Sequence, residues 1–414
     1  MPVVFCCLSC DYETHMSLHI DIKKYYLFRA LLKRFILPIL VLYGLDQGLT
    51  LSELALIAGA GSLVSFLFEL PSGTLADHFG HRRTLVISML GQGLSMALYL
   101  GGSFWWMLFG TITYFGFGSL MTGTGEAFFF ERLQKLGLVD QHAKLSGAGK
   151  GFATGVSVMS MLLSGVLYEI AWYLPFCIGI LQFILAAYVI STIGPTQDEI
   201  SVEKEEETHI GALHHLVIAW KDLQQNRGIL WLILSSALII GPLYAIGDFQ
   251  QAIMDDVGIS ASLIGAVYAV KRLLSIIIQY STYRFMKIFS PAQFVTVSAI
   301  FMLLHFFGMG LIQDPWWLLG PLIIGSLAWV GLDIAVNDYI NQSTQTHSRA
   351  TLLSMKNVIQ SLVMVMTIGL FGLLTLSQTA AEGYLILGIV FLFLLVIPLW
   401  KLSFHFRPLN SLTK

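Results

Sequence analysis

Charge is what this chain has least of. Asp, Glu, Lys and Arg together make up 12% of its 414 residues, where soluble proteins carry about 25%. With 56% of residues hydrophobic and a mean hydropathy of +0.75, no single aqueous core could hide the apolar surface, so lipid is the expected solvent. Cysteine is scarce too: of four, three are Cys6, Cys7 and Cys10, which make no disulfide framework. CCxxC with His15 is a metal-ligand pattern, but the plainer reading is that residues 1–15 precede a native start at Met16. No metal or cofactor is expected. VVFCCLSC has no basic leader and is too short for a signal peptide. GxxxxGK[ST], HExxH and GxSxG are all missing, against ATP hydrolysis by this chain and against a membrane-embedded hydrolase. No basic stripe points to nucleic acid.

What is present is a series of apolar stretches. A spanning helix needs about 20 mostly apolar residues, and twelve spans can be read, among them Tyr25–Gly44, Thr84–Leu100, Trp105–Phe130, Ser260–Phe285 and Leu352–Leu376. None of the 23 Lys and Arg falls in the six loops on one side of such a topology. Those loops hold Asp46, Glu169, Asp248, Asp255, Asp256, Asp314 and Glu382 instead. Positive charge is retained in the cytoplasm, so the basic side, with both termini, is expected to be cytoplasmic and the membrane to be the inner one.

The longest polar break, 194–228, contains EKEEE (203–207) and divides the spans six and six. The expected organisation is a cytoplasmic segment (1–22), a six-helix bundle (23–193), a cytoplasmic linker (194–228), a second bundle (229–402) and a tail (403–414). This is an all-α membrane protein of two pseudo-symmetric halves. Glu126 and Glu131 end the fourth span, and Asp333 and Asp338 end the tenth with the same spacing, a faint mark of duplication.

Between the second and third spans stands Gly73-Thr-Leu-Ala-Asp77-His-Phe-Gly80-His-Arg82-Arg83. It resembles the G-x-L-x-D-R-x-G-R-R loop of the major facilitator superfamily. Phe68-Glu69-Leu70-Pro71-Ser72-Gly73 and Arg349-Ala350-Thr351-Leu352-Leu353-Ser354 resemble its drug-efflux-like bacterial members. The resemblance implies a latch made by Gly73, Asp77, Gly80, Arg82 and Arg83, with Asp77 meeting the helix start near Thr351–Ser354. Gly73 and Gly80 would permit close approach and a tight reversal; the alternative for Arg82 and Arg83 is that they only set topology. His78 replaces the family's Arg. The loop Tyr283–Phe289 keeps Arg284 and Lys287 without the Gly and Asp. Thr111–Tyr114 stand where many members carry an Arg. Gly147, Gly149, Gly151 and Gly155 come without the Gly-Pro pair of the antiporter signature.

Arg29, Lys33, Arg34, Lys271 and Arg272 fall inside predicted spans. An ionisable group near the bilayer centre costs at least about 2.5–3.5 kcal/mol, so these cations need water or acids. Two readings compete: Lys33, Arg34, Lys271 and Arg272 line a cavity for an anionic solute, or they pair internally with Glu69, Glu126 or Asp333. Those three carboxylates are the candidate proton carriers. His305 reads as a packed or hydrogen-bonded histidine. The expected function is a monomeric secondary transporter that exports a small organic solute by proton-coupled alternating access, the solute being an anion such as a carboxylate metabolite or metal chelator, or a drug-like compound. Uptake of the same class and a non-transporting receptor are the alternatives.

Overall fold

The computed structural model describes residues 20–33, 35–121, 124–194, 226–343 and 346–405, apart from the side chains of 69–78 and 346–351. Helix α1 covers 20–31. After a break, a 3-10 turn (Leu37–Ile39) leads into α2 (Leu40–Asp46). Then follow α3 (Leu51–Phe79), α4 (His81–Tyr99), α5 (Phe104–Ser119), α6 (Thr124–Lys135), α7 (His142–Ile170) and α8 (Leu174–Ser191). Past the linker come α9 (Arg227–Ala245), α10 (Gln250–Asp256), α11 (Ala261–Met286), α12 (Pro291–Leu311), α13 (Pro315–Ser343), α14 (Thr346–Leu374) and α15 (Ala380–His405). The all-α class is as expected, and no strand occurs among the described residues.

Among the described residues, nine helical stretches are long and apolar enough to cross a membrane. The other three expected spans depart for physical reasons. The first leaves the helix at 32–33 and is still in a turn at 35–36, where Pro38 follows: its ring fixes φ and it offers no N–H, so an incoming helix cannot run through it. The fourth is interrupted between α5 and α6, beside Gly118 and Gly125, and each glycine in a helix costs up to about 1 kcal/mol. The third, α4, is continuous but polar, and it turns Ser88, Gln92 and Ser95 inward, all buried. Ser88 Oγ donates to the Phe117 carbonyl at 2.6 Å, and Gln92 Nε2 donates to Ser88 Oγ at 3.2 Å. A single residue, Gly80, joins α3 to α4 with φ at 82°.

The chain divides into two compact units, Met1–Ile36 with Val64–Glu206, and Leu37–Leu63 with Glu207–Lys414. In the first, α4 packs on α5 and α8. In the second, α12 packs on α13 and α15, and α9 on α14 and α15. Lipid tails are as apolar as leucine, so these contacts stabilise by close packing rather than by expelling water. In the second unit Tyr384 meets Phe306 and Phe371 with centroids at 5.4 and 5.9 Å. The α12 start carries a capping box, Ser290 with Gln293, which satisfies two helix-end groups.

Candidate functional site

In the first unit the charged residues gather on Glu126, in the opening turn of α6, where the helix dipole favours an anion. Its Oε1 lies 2.9 Å from Arg29 Nη1 and 3.2 Å from Lys150 Nζ. Ser146 Oγ donates to its Oε2 at 3.3 Å. Arg29 is steadied from behind by Tyr25, whose hydroxyl accepts from Nη1 at 3.3 Å and donates to the Gly125 carbonyl at 2.8 Å. The Tyr25 ring stacks on Phe129 at 4.0 Å. One carboxylate thus holds two cations.

Lys33 sits at the edge of the break in the first span. Its carbonyl, which a continuous helix would have satisfied, accepts from Gln182 Nε2 at 2.8 Å. Arg34 lies outside the described residues, as do the side chains of Glu69, Gly73 and Asp77. So do Cys6, Cys7, Cys10 and His15, the EKEEE run and the side chain of Arg349. Of the expected latch, Gly80 has the positive φ that its short turn requires, a conformation glycine adopts without penalty. Arg82 Nη1 donates to the Ile193 carbonyl at 3.1 Å, just beyond the end of α8, where a cation complements the helix dipole. Arg83 is exposed. His81 Nδ1 lies 2.9 Å from Glu131 Oε1.

In the second unit Asp333 on α13 has a partner that the sequence reading passed over. Lys356 Nζ on α14 donates to Asp333 Oδ1 and to Asn337 Oδ1, both at 2.6 Å. Asn337 Nδ2 reaches Asp333 Oδ2 at 3.4 Å. Lys271, near the middle of α11, donates from Nζ to Gln250 Oε1 at 2.6 Å and lies 5.0 Å from the centroid of the Tyr268 ring. Its neighbour Arg272 differs. Among the described residues no hydrogen bond or ion pair reaches its guanidinium, and its Nε is buried without an acceptor. His305 is buried and bonded, its Nδ1 2.8 Å from the Pro321 carbonyl.

The structure therefore groups Arg29 with Glu126, and Asp333 with Lys356, and leaves Lys271 and Arg272 away from any described carboxylate within ion-pair distance. Lys150 and Lys356 were legible as cations just inside the starts of the fifth and eleventh spans. Gln182, Gln250 and Gln251 carried a weaker signal: amides set in otherwise apolar sequence, each needing partners.

The chain as a whole is similar to known proteins. A model of the Major Facilitator Superfamily matches residues 25–368. The uncharacterized MFS-type transporter YxaM of Bacillus subtilis (strain 168) is 19% identical over 375 residues, 87% of this chain and 89% of that protein. The crystal structure of the nucleoside transporter NupG is similar with a TM-score of 0.72 and 11% identity, covering 95% of this chain and 99% of that one. The peptide transporter POT in complex with sulfate is similar with a TM-score of 0.69 and 14% identity, over 94% of each chain. At such identities the likeness to solved structures speaks for the fold alone.

Proposed function

The chain belongs to the Major Facilitator Superfamily and is a secondary transporter of the membrane rather than an enzyme, and from that premise we propose that its cargo is a small organic anion, exported in exchange for protons. The observation that carries the anionic reading is Arg272: a guanidinium near the middle of a spanning helix with no described acceptor. Arg272 is half-buried, with its Nε fully so; a cation partly withdrawn from water without an acceptor is costly, and a solute carboxylate or similar oxyanion would offset that cost with charge-assisted hydrogen bonds. Lys271 beside it adds a second positive charge, and its present acceptor is only a neutral amide. Lys33 and Arg34 are the further cavity cations of this reading.

Proton coupling rests on carboxylates that trade a proton against a cation. Asp333 and Glu126, each beside a cation, support that role, and Glu69 completes the candidate set. Gly73, Asp77, Gly80, Arg82 and Arg83 serve as the cytoplasmic latch. The basic loops then face the cytoplasm across the inner membrane, with both termini inside, and the working unit is a monomer. Proton-coupled uptake would use the same cations, with solute and protons moving inward together.

The test is flux in proteoliposomes under an imposed pH gradient. The panel holds citrate, malate and benzoate, with uridine and dialanine for comparison because solved proteins of this fold move nucleosides and peptides. Wild-type protein should move at least one carboxylate, and Arg272→Gln should slow that flux at least tenfold. Carboxylate flux unaltered by Arg272→Gln would remove the anionic reading, and flux indifferent to the pH gradient would remove proton coupling.

A further inference from the structure

Two consecutive amides, Gln250 and Gln251, open α10, and both are buried. They face different tasks. The orientation of Gln250 is fixed by a chain of donors and acceptors. The Pro321 carbonyl can only accept, so His305 Nδ1, 2.8 Å away, carries the proton. His305 Nε2 is then bare and accepts from Gln250 Nε2 at 3.3 Å. That leaves Gln250 Oε1 for the Lys271 ammonium, at 2.6 Å.

Gln251 repairs the broken first span. Helix α2 begins at Leu40, and Ile39 before it supplies no side-chain cap; the first N–H groups of any helix lack partners of their own. Gln251 Oε1 accepts from the N–H groups of Val41 and Leu42 at 2.9 and 3.2 Å. Its Nε2 donates to the Leu37 carbonyl at 2.8 Å and to Tyr268 Oη at 3.3 Å. Tyr268 in turn donates to the Gly247 carbonyl at 3.3 Å, and its ring lies under Lys271. Every residue in this network belongs to one compact unit, because 37–63 is part of it.

We propose that Gln250 is a specificity-determining residue that occupies the place of the solute's oxyanion on Lys271, and that Gln251 passes its displacement to the capped start of α2. A carboxylate is a stronger acceptor for an ammonium than an amide carbonyl. When a solute oxyanion takes Lys271, Gln250 is released, and its backbone turn is shared with Gln251. The cap on Val41 and Leu42 then loosens, and the start of α2 is freed. The anionic cargo is taken from the preceding reading; the link from Gln250 to α2 stands on the hydrogen bonds themselves.

The experiment separates the two. Full-length protein carrying Val41→Cys, with Cys6, Cys7, Cys10 and Cys177 changed to Ser, is placed in lipid nanodiscs. A membrane-impermeant maleimide then reports on Val41, which is buried in this structure. Gln251→Leu calibrates the rate for an uncapped helix. Gln250→Ala, which frees Lys271, should speed labelling at least tenfold, whereas Gln250→Glu, which supplies a permanent carboxylate, should slow it at least threefold. Citrate, malate or benzoate should speed labelling in the parent and leave Gln250→Glu unchanged. Both Gln250 variants labelling at the parent rate would overturn the link, whatever the carboxylates do. Variants that diverge as stated, with carboxylates that neither move nor alter labelling, would keep the link and sink the anionic cargo. Should Gln250→Ala fail to fold, the opposed effects of Gln250→Glu and Gln251→Leu decide the question.

Discussion

Glu126 in the first unit and Asp333 in the second hold matching places, and each takes a cation from the next helix along the chain, Lys150 on α7 and Lys356 on α14. Their surroundings part company. The Lys356 side chain is 3% exposed and the Lys150 side chain 58%. Glu126 has a second cation in Arg29, whereas Asp333 has a neutral helper in Asn337. The first cluster is wet and carries surplus positive charge; the second sets a buried ammonium against a carboxylate that is 39% exposed. The two sites therefore differ in the cation, which water reaches in one and not in the other.

The comparison breaks most visibly at Asp333. Asp333→Ala leaves the buried Lys356 ammonium with the neutral Asn337 amide as its described acceptor, a cost of about 3 kcal/mol, the low end for a buried pair because Asp333 is itself 39% exposed. Thermal unfolding in detergent should show a large fall in Tm, with Asp333→Leu plus Lys356→Met recovering most of it, since apolar replacement of both members is often neutral. A smaller effect, about 1 kcal/mol, is expected for Glu126→Ala, because water reaches the cations it leaves. Equal losses at the two sites would mean that burial does not distinguish them.

The smallest effect sharpens the contrast from the other side, among acids without cations. In the cation-free loops Asp255 is held above its usual range by burial first, then by the charges of Asp46 and Asp256. Its folded value exceeds its unfolded one, so the folded protein gains stability as pH falls through that raised value and gives it up as pH rises. Asp255→Asn should raise Tm at pH 7 by about 1 °C or less and flatten the pH profile there. A lower Tm for the variant would contradict the repulsion.

Much of this was legible in advance. The spans follow from apolar length, and the Gly80–Arg83 turn marks the family. The matched spacing of Glu126 and Glu131 with Asp333 and Asp338 pointed to related halves. Among the described residues, though, Asp338 accepts only from Gln342 on its own helix at 2.7 Å, while Glu131 lies beside His81, so the second members of the two pairs differ in partner. What escaped was of two kinds. Lys150 and Lys356 stand just inside the starts of their expected spans, and nothing local separates the exposed one from the buried one. The break before Pro38 needed that proline to be weighed against an otherwise apolar run, and the amides that mend it, Gln182 and Gln251, come from distant sequence. No local pattern announces a cap supplied in trans.

Gly80 leaves a practical mark on how this protein can be altered. Two long rods meet at a joint one residue wide, and its backbone occupies a region that side chains enter only under strain. A saturation library at this position should collapse to its parent letter, and an epitope or fluorescent tag threaded there should abolish expression.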